Sequence, residues 1–283
     1  MKKQDFKVLK TKDLYPFPDN PFHVVEDETL SELAESIKEF GVLTPAIVRP
    51  DSNGGYEIVS GHRRHRASEL AGKETMPVIV RDLDDDAAII LMVDANLQRE
   101  TILPSERAYA YKMKLDAIKH QGARTDLTSA QVGPKLTAAE KIAENSPDSK
   151  SQIKRFIRLT ELIPELMDMV DEKKIALNPA YELSFLKKEE QVDLLDAMDS
   201  EQATPSLSQA QRLKKYSQEG HLTLDMMRVI MGEEKKSDLD RVTFTSDTLR
   251  KYFPKSYTPQ RMQETIIKLL EAWQKKRQRD QER

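Results

Sequence analysis

The segment Gly61-His-Arg-Arg-His-Arg-Ala67 concentrates cationic side chains at a glycine bend. It follows a predicted strand and begins a predicted helix, so free backbone N–H groups lie beside the arginines. Helix N-termini attract anions, and the guanidinium fork matches phosphate oxygens. The segment predicts a phosphate-binding site, with a solvated basic helix start as the alternative. A metal site on His62 and His65 is disfavoured because no carboxylate stands at a matching spacing.

A second polar segment runs from Asp94 to Pro104, where one predicted helix ends and another begins. Its Asn, Gln and Arg side chains can present amide and guanidinium groups to a pocket. The alternative is an interhelical turn with polar caps. This segment alone therefore does not define a site.

Residues 137–159 have the pattern of a helix-turn-helix. Such a motif needs a small residue where the helices cross, a tight turn, and an apolar anchor on the second helix. Ala143, the turn at residues 146–149 and Ile153 occupy those places. The alternative is a generic helical hairpin. Ser149 is predicted to cap the second helix. The side chains predicted to read bases or hold phosphates are Ser149, Lys150, Ser151, Gln152, Lys154, Arg155 and Arg158.

The positioning elements begin with an α+β domain over residues 1–102. Residues 1–25 are rich in turn formers and are predicted to be an irregular lead-in. Hydrophobic periodicity then predicts helices and short strands in alternation. The helices are expected at 28–40, closed by Gly41, at 61–72 and at 84–96. The strands are expected at 46–49, 56–59 and 77–80, and Asp51-Ser-Asn-Gly-Gly55 predicts a hairpin between the first two.

After residue 102 the pattern is helical almost throughout. Pro104 begins a helix expected to end near Gln121, and a polar linker is predicted at residues 122–135. Helices then recur to about Ser217. The pattern predicts an all-α DNA-binding domain over residues 103–218.

A small, mostly helical C-terminal module is predicted at residues 239–283. It comprises a strand at 241–245 and a long helix capped by Thr258. The apolar stripe of that helix either packs on its own module or mediates dimerisation.

Composition sets broad limits on the class of protein. A third of the 283 residues are charged, cysteine is absent and the formal net charge is −3. Disulfides and thiolate metal sites are thereby excluded, and a reducing cytoplasm fits. No apolar run approaches the length of a membrane span and no signal peptide is recognisable, so a membrane is not an expected partner.

The order of the segments resembles the ParB family of DNA-partition proteins over residues 7 to about 200. Gly41-Val-Leu-Thr-Pro-Ala-Ile-Val-Arg49 precedes the arginine segment, and Asn96-Leu-Gln-Arg99 with Leu103-Pro-Ser-Glu-Arg-Ala108 follows it. The helix-turn-helix comes next. Several such segments in order are a more specific signal than any one of them.

The resemblance implies an N-terminal domain that binds CTP with magnesium. Thr44 and Pro45 would lie near the base and ribose. The phosphates would meet Gly61, Arg63 and Arg64. The remaining implied residues are Arg99, which would support the nucleotide, and Asn96, which would also be a magnesium ligand.

The resemblance also implies partners and a location. They are a centromere-like inverted-repeat DNA site, a second copy of the chain, a ParA-type ATPase, and a nucleoid-associated place in the cytoplasm. Two departures bear on turnover, because His62 and Ala95 stand where the family usually has glutamate. Nucleotide binding is therefore expected, and a weak CTPase activity is left open.

The sequence thus predicts a sequence-specific partition protein that acts as a CTP-responsive clamp in plasmid, mobile-element or chromosome segregation. One alternative is a helix-turn-helix transcription regulator without a partition role. Another is a nuclease or phosphotransferase with the same N-terminal fold, which the substitution at Ala95 disfavours.

Overall fold

The computed structural model describes residues 5–51, 54–99, 101–126, 137–233, 249, 251–254 and 256–281. The chain falls into two compact units, residues 1–233 and residues 234–283. The predicted boundary near residue 102 lies inside the first unit and stays a prediction. The predicted fold class, an α+β domain followed by helices, is confirmed.

A five-stranded mixed sheet forms the centre of the N-terminal region, in the order β1-β5-β3-β4-β2. Strands β3 and β4 make the predicted antiparallel hairpin. At its turn Gly54 and Gly55 have φ of +96° and +84°, which favour glycine. The strands are β1 (Asp5–Lys10), β2 (Leu14–Pro16), β3 (Ala46–Pro50), β4 (Tyr56–Ser60) and β5 (Thr75–Val80).

The prediction of an irregular lead-in over residues 1–25 is wrong for residues 5–10 and 14–16, which form strands β1 and β2. Strand β1 pairs antiparallel with β5, and β2 pairs parallel with β4. On β1 the side chains of Phe6 and Val8 are 63% and 69% exposed. These strands therefore depend on main-chain pairing with partners distant in sequence, which local composition does not reveal.

The N-terminal region contains three helices: α1 (Glu28–Phe40), α2 (His62–Leu70) and α3 (Asp85–Asn96). The carboxylates of Asp27 and Asp84 accept N–H groups at the starts of α1 and α3. Helix α1 ends at Gly41, whose φ is +73°, as the pattern predicts. Helices α1 and α2 pack against each other, whereas α3 packs on β4 and on the next helix.

The next helix, α4 (Pro104–Asp126), is longer than predicted. It continues past Gln121, so the first five positions of the predicted linker, residues 122–126, are helical. No neighbouring atom lies within 4 Å of a Cβ built at Gly122. A single glycine costs a helix only about 1 kcal/mol, which a long helix tolerates. The rest of that linker lies outside the described residues.

Seven further helices complete the first unit among the described residues. The last of them, α11, was not predicted; it packs on α9 and buries Met227, Ile230 and Met231. The helical region thus extends beyond the predicted end at residue 218. The seven helices are α5 (Ala138–Glu144), α6 (Lys150–Leu159), α7 (Pro164–Asp171), α8 (Leu177–Leu183), α9 (Lys188–Ser200), α10 (Leu207–Gln218) and α11 (Leu224–Met231).

In the second unit, α12 (Pro259–Gln281) is the long helix that the sequence predicts. The Arg261 N–H donates to Thr258 Oγ1 at 3.3 Å, which confirms the predicted cap. The predicted strand at 241–245 lies outside the described residues. No helix in the described part of the chain is both long and apolar enough to cross a membrane.

Candidate functional site

A pocket of about 180 Å³ lies where the first turn of α2 faces the end of α3. It brings together five of the seven residues predicted for the nucleotide. Thr44 and Pro45 do not line it. The lining residues are Phe22, Val24, Ser60, Gly61, His62, Arg63, Arg64, Ala95, Asn96 and Arg99.

Gly61 makes the bend that opens α2. Its φ is +111°, and a Cβ built there would lie 2.8 Å from the Cβ of Ala46 on β3. Only glycine therefore allows the start of α2 to approach the sheet this closely. The N–H groups of the first helical turn have no intrahelical acceptor, so the bend supplies donors suited to an anion.

Arg63 is connected to the start of α1. Its Nη2 lies 3.0 Å from Asp27 Oδ1 and 2.5 Å from Thr29 Oγ1. The hydrogen bond from Arg63, then those from Thr29 and the Leu30 N–H, lower the pKa of Asp27 to about 2. Asp27 is therefore ionised at neutral pH and offsets the charge of Arg63.

Arg64 connects the pocket to the loop before β3. Its Nη1 donates to the carbonyl oxygens of Thr44 at 2.6 Å and Pro45 at 2.7 Å. These two residues are thus held beside the pocket through Arg64. Burial lowers the pKa of the Arg64 guanidinium, but arginine stays protonated in proteins. The positive charge is therefore retained in a half-buried place.

Arg99 completes the cationic lining from the end of α3. No hydrogen-bond acceptor among the described residues binds its guanidinium, and burial lowers its pKa. The Glu106 carboxylate acts in the opposite direction more weakly. Arg99 is thus available to an incoming anion.

The His62 side chain contacts Phe17 and Asn20, in the segment that precedes α1. Its Nε2 lies 3.4 Å from the Phe17 N and 3.4 Å from the Asn20 Nδ2. Burial, followed by the charges of His65 and Arg99, lowers the pKa of His62 to about 4. The imidazole is therefore neutral at physiological pH and serves as a hydrogen-bond acceptor.

The donor set does not fit the magnesium ion that the resemblance implies. No carboxylate lines the pocket among the described residues, and those residues contain no cluster of three His, Asp or Glu that could hold a metal. Asp94, next to Ala95, instead pairs with the buried ammonium of Lys114 on α4. The amide nitrogen of Asn96 donates to the Met92 carbonyl at 2.8 Å. Magnesium prefers carboxylate oxygens, which this pocket does not offer.

The second candidate site is the helix-turn-helix made by α5 and α6. Ile142, Ile153 and Phe156 are buried beneath it. The predicted cap is present, because the Gln152 N–H donates to Ser149 Oγ at 3.3 Å and the Ser149 N–H donates to Gln152 Oε1 at 2.9 Å. This capping box fixes the start of α6.

Two of the basic side chains predicted to face outward on α6 also contact other groups of the protein. Lys150 pairs with Glu140 on α5, with Nζ 2.6 Å from Oε1. Arg158 donates to the Ser184 carbonyl at 2.8 Å, and its guanidinium lies 4.4 Å from the centre of the Phe185 ring. Both residues are partly exposed and already have partners within the protein, and their predicted role in DNA binding stays a prediction. The exposed predicted residues are Ser149, Ser151, Gln152, Lys154 and Arg155.

Sequence reasoning missed the residues that anchor the turn between α5 and α6. The Tyr111 hydroxyl on α4 lies 2.6 Å from Asp148 Oδ2 and 2.5 Å from Ser146 Oγ. The Arg107 guanidinium also reaches Asp148, at 3.3 Å. Burial raises the pKa of Tyr111. The available signal was a tyrosine on a helix followed by an aspartate in a turn, which is too common to be informative.

The two candidate sites share α4. Lys114 on this helix binds Asp94, one residue before the pocket-lining Ala95, and Tyr111 binds the helix-turn-helix turn. The first unit therefore connects the arginine-lined pocket and the helix-turn-helix through one long helix.

Together, the fold and the sites define a protein that joins an α+β domain with an arginine-lined pocket to a helix-turn-helix. Residues 1–97 match the family model described as the ParB N-terminal domain. The chain thus carries a ParB N-terminal domain, and its resemblance to ParB-type partition proteins is confirmed.

The relatives agree with this family. The chromosome-partitioning protein Spo0J of Thermus thermophilus is 33% identical over 184 residues, which cover 65% of this chain and 61% of that protein. Stage 0 sporulation protein J of Bacillus subtilis is 35% identical over 187 residues, covering 66% and 60% respectively. The matched region thus spans about three fifths of these relatives.

A solved structure also matches most of this chain. It is the C-terminally truncated ParB of Caulobacter crescentus complexed to the centromeric parS site, at 24% identity and a TM-score of 0.45. The match covers 80% of this chain and 98% of that one.

Proposed function

We propose that the protein is a sequence-specific DNA-binding partition protein whose DNA engagement responds to CTP. The observation that carries the proposal is the attachment of both candidate sites to α4, through Lys114 and Tyr111. A nucleotide shifts a domain arrangement only if it binds one arrangement better than another. A helix that packs on α3 beside the pocket and holds the turn of the helix-turn-helix provides the physical means for such a shift.

The exposed face of α6 binds the DNA site. Lys154 and Arg155 supply positive charge for phosphates, while Ser151 and Gln152 present hydroxyl and amide groups suited to base edges. Two copies of the chain would place two such helices on two half-sites, which favours an inverted-repeat, centromere-like target. A ParA-type ATPase and a nucleoid-associated cytoplasmic location belong to the same proposal.

The arginine pocket binds the CTP phosphates. Arg63, Arg64 and Arg99 line it beside the first turn of α2, and cationic forks with free N–H groups suit a polyphosphate. In this proposal Thr44 and Pro45, whose carbonyl groups accept hydrogen bonds from Arg64, border the base and ribose. The nuclease or phosphotransferase alternative is less well supported, because no carboxylate lines the pocket among the described residues.

The decisive experiment is selection of bound fragments from genomic and random DNA by the full-length protein, with and without CTP. We expect enrichment of one inverted repeat, and spreading of the protein into flanking DNA only with CTP. Enrichment that CTP does not alter would favour the transcription-regulator alternative. The absence of any enriched sequence would overturn the proposed DNA site.

The pocket itself is tested with Arg99→Ala. We expect this variant to lose CTP binding in calorimetry. Among the described residues no acceptor binds the Arg99 guanidinium, so this group is available to the phosphates. Arg66→Ala is the matched control, since Arg66 lies on the same helix as Arg63 but pairs with Glu26 and Glu69. Equal loss in both variants would contradict the assignment.

The DNA-binding face is tested by replacing Lys154 and Arg155 with alanine. We expect weaker binding to the selected site. The slope of the logarithm of the binding constant against the logarithm of the salt concentration should also fall in magnitude by about 0.9 per lost phosphate contact. Lys38→Ala on α1 is the control, because that lysine is exposed in a different region of the first unit. Unchanged affinity and slope would show that α6 is not the recognition helix.

Dimerisation is proposed for the second unit. Leu269, Leu270 and Trp273 on α12 are 58–63% exposed, and burial of such a stripe would favour association. Deletion of residues 239–283 should leave a monomer by light scattering. A persistent dimer would remove this role.

A further inference from the structure

The pocket differs from a magnesium-dependent nucleotide site in its chemistry. Arg63, Arg64 and Arg99 line it, and no carboxylate of a described residue does. Ala95 takes the lining position on α3, and the neighbouring Asp94 is held by Lys114. The positive charge that a magnesium ion usually supplies to a triphosphate is already present as guanidinium groups.

We propose that this pocket binds the nucleotide triphosphate directly through its arginines, without a divalent cation, and holds it without cleaving it. The inference rests on the proposed CTP site. It adds that nucleotide release, not hydrolysis, returns the protein to its nucleotide-free state.

The distribution of charge supports direct binding. Asp27 offsets Arg63, but Arg64 donates to the neutral carbonyl groups of Thr44 and Pro45, and Arg99 has no acceptor in the described residues. Two half-buried cations thus await an anion. A divalent cation placed among them would be repelled, because like charges in a partly desolvated pocket interact strongly.

The same lining explains why cleavage is not expected. Hydrolysis of a phosphoanhydride needs a group that orients or deprotonates water, or a metal that activates it. His62 is the neutral titratable group in the lining, and its Nε2 already faces the donors on Phe17 and Asn20. No other group in the described lining has the chemistry of a general base at neutral pH.

The first test compares CTP binding to the full-length protein in EDTA and in excess magnesium, by calorimetry. We expect the two dissociation constants to agree within about threefold, a difference below 1 kcal/mol. Binding that is more than about tenfold tighter with magnesium would overturn the inference. An absence of binding in both buffers would overturn the CTP site itself, which the DNA selection tests separately.

Two variants make this test specific. Ala95→Glu adds a carboxylate to the lining of the pocket, so we expect CTP binding about tenfold weaker in EDTA and largely restored by magnesium. Ala95→Gln has nearly the same size without the charge and should bind equally in both buffers. If Ala95→Glu shows no dependence on magnesium, position 95 does not face the phosphates and the inference fails.

The second test measures CDP formation with the selected DNA and magnesium present. We expect the wild-type protein to match the background of Arg99→Ala. CDP formation above that background, lost in Arg99→Ala, would show that the pocket cleaves its ligand and would overturn the inference.

Discussion

The phenolic oxygen of Tyr111 lies 2.6 Å from Asp148 Oδ2, so a buried hydrogen bond joins the middle of α4 to the helix-turn-helix turn. Ser146 and Arg107 complete the network. A buried carboxylate is costly unless donors surround it, and here those donors come from α4. The orientation of the proposed recognition helix α6 therefore depends on a helix that also packs on α3, next to the arginine-lined pocket.

Tyr111→Phe should destabilise the first unit by about 1.5–3 kcal/mol, because Asp148 loses a buried donor to its charge. Urea unfolding of the full-length protein measures this change, and affinity for the selected DNA should fall in parallel. Tyr109→Phe is the matched control, since Tyr109 is 43% exposed on the same helix. Equal stability of the two variants would show that the hydrogen bond does not stabilise the turn.

Loss of Asp94 and loss of Lys114 should lower the free energy of unfolding by different amounts. Lys114 is 3% exposed and Asp94 is 38% exposed. Asp94→Ala leaves a buried ammonium without its carboxylate and should cost about 3–5 kcal/mol. Lys114→Met removes the buried charge and lets water solvate Asp94, so its cost should stay below about 1.5 kcal/mol.

The double variant Asp94→Ala/Lys114→Met distinguishes charge burial from packing. It should be about as stable as Lys114→Met alone, because neither residue then leaves a buried ion. Unfolding free energies of the wild-type protein and the three variants close the cycle. Additive losses would indicate that the two side chains act independently.

Gly61→Ala should destabilise the protein by more than about 2 kcal/mol, because it combines an unfavourable φ with a clash against Ala46. CTP binding should weaken with it. Gly72→Ala is the control: φ there is +67° but the space is open, so its cost should be about 1 kcal/mol. Similar losses in urea unfolding would mean that the contact with β3 is unimportant.

His62 should make stability sensitive to mild acid. Its folded pKa is about 4 and its ordinary value is 6.5, so the unfolded chain binds the extra proton first as pH falls. Its contribution is complete above pH 6.5 and is lost between pH 6.5 and 4, by up to about 1.4 kcal/mol per pH unit.

His62→Gln keeps an acceptor for the Phe17 N–H but does not titrate. Unfolding free energies of both proteins, measured from pH 7 to pH 5, should therefore diverge in slope, with the variant less dependent on pH. Parallel curves would contradict the lowered pKa.

Local patterns were sufficient for much of the fold. The hairpin between β3 and β4, the caps at Thr258 and Ser149, and the glycine after α1 each depend on residues close in sequence. The pattern failed where stability came from distant pairing. Strand β1 shows this, because Phe6 and Val8 are exposed and only the backbone of β5 makes the segment a strand.

The candidate sites divide in the same way. Residue types and spacing by themselves determined that the arginine segment, residues 61–67, would begin a helix. They also determined that a basic helix with a capped start would follow the turn at residues 146–149. Only the tertiary structure decided which charges stay available: Arg158 turns to Ser184 and Phe185, Lys150 to Glu140, and Asp94 to Lys114, while Arg99 remains in the pocket lining. The physical reason is that a charged side chain is bound by whichever opposite charge or dipole folding brings within a few ångströms, and that neighbour is set by long-range packing.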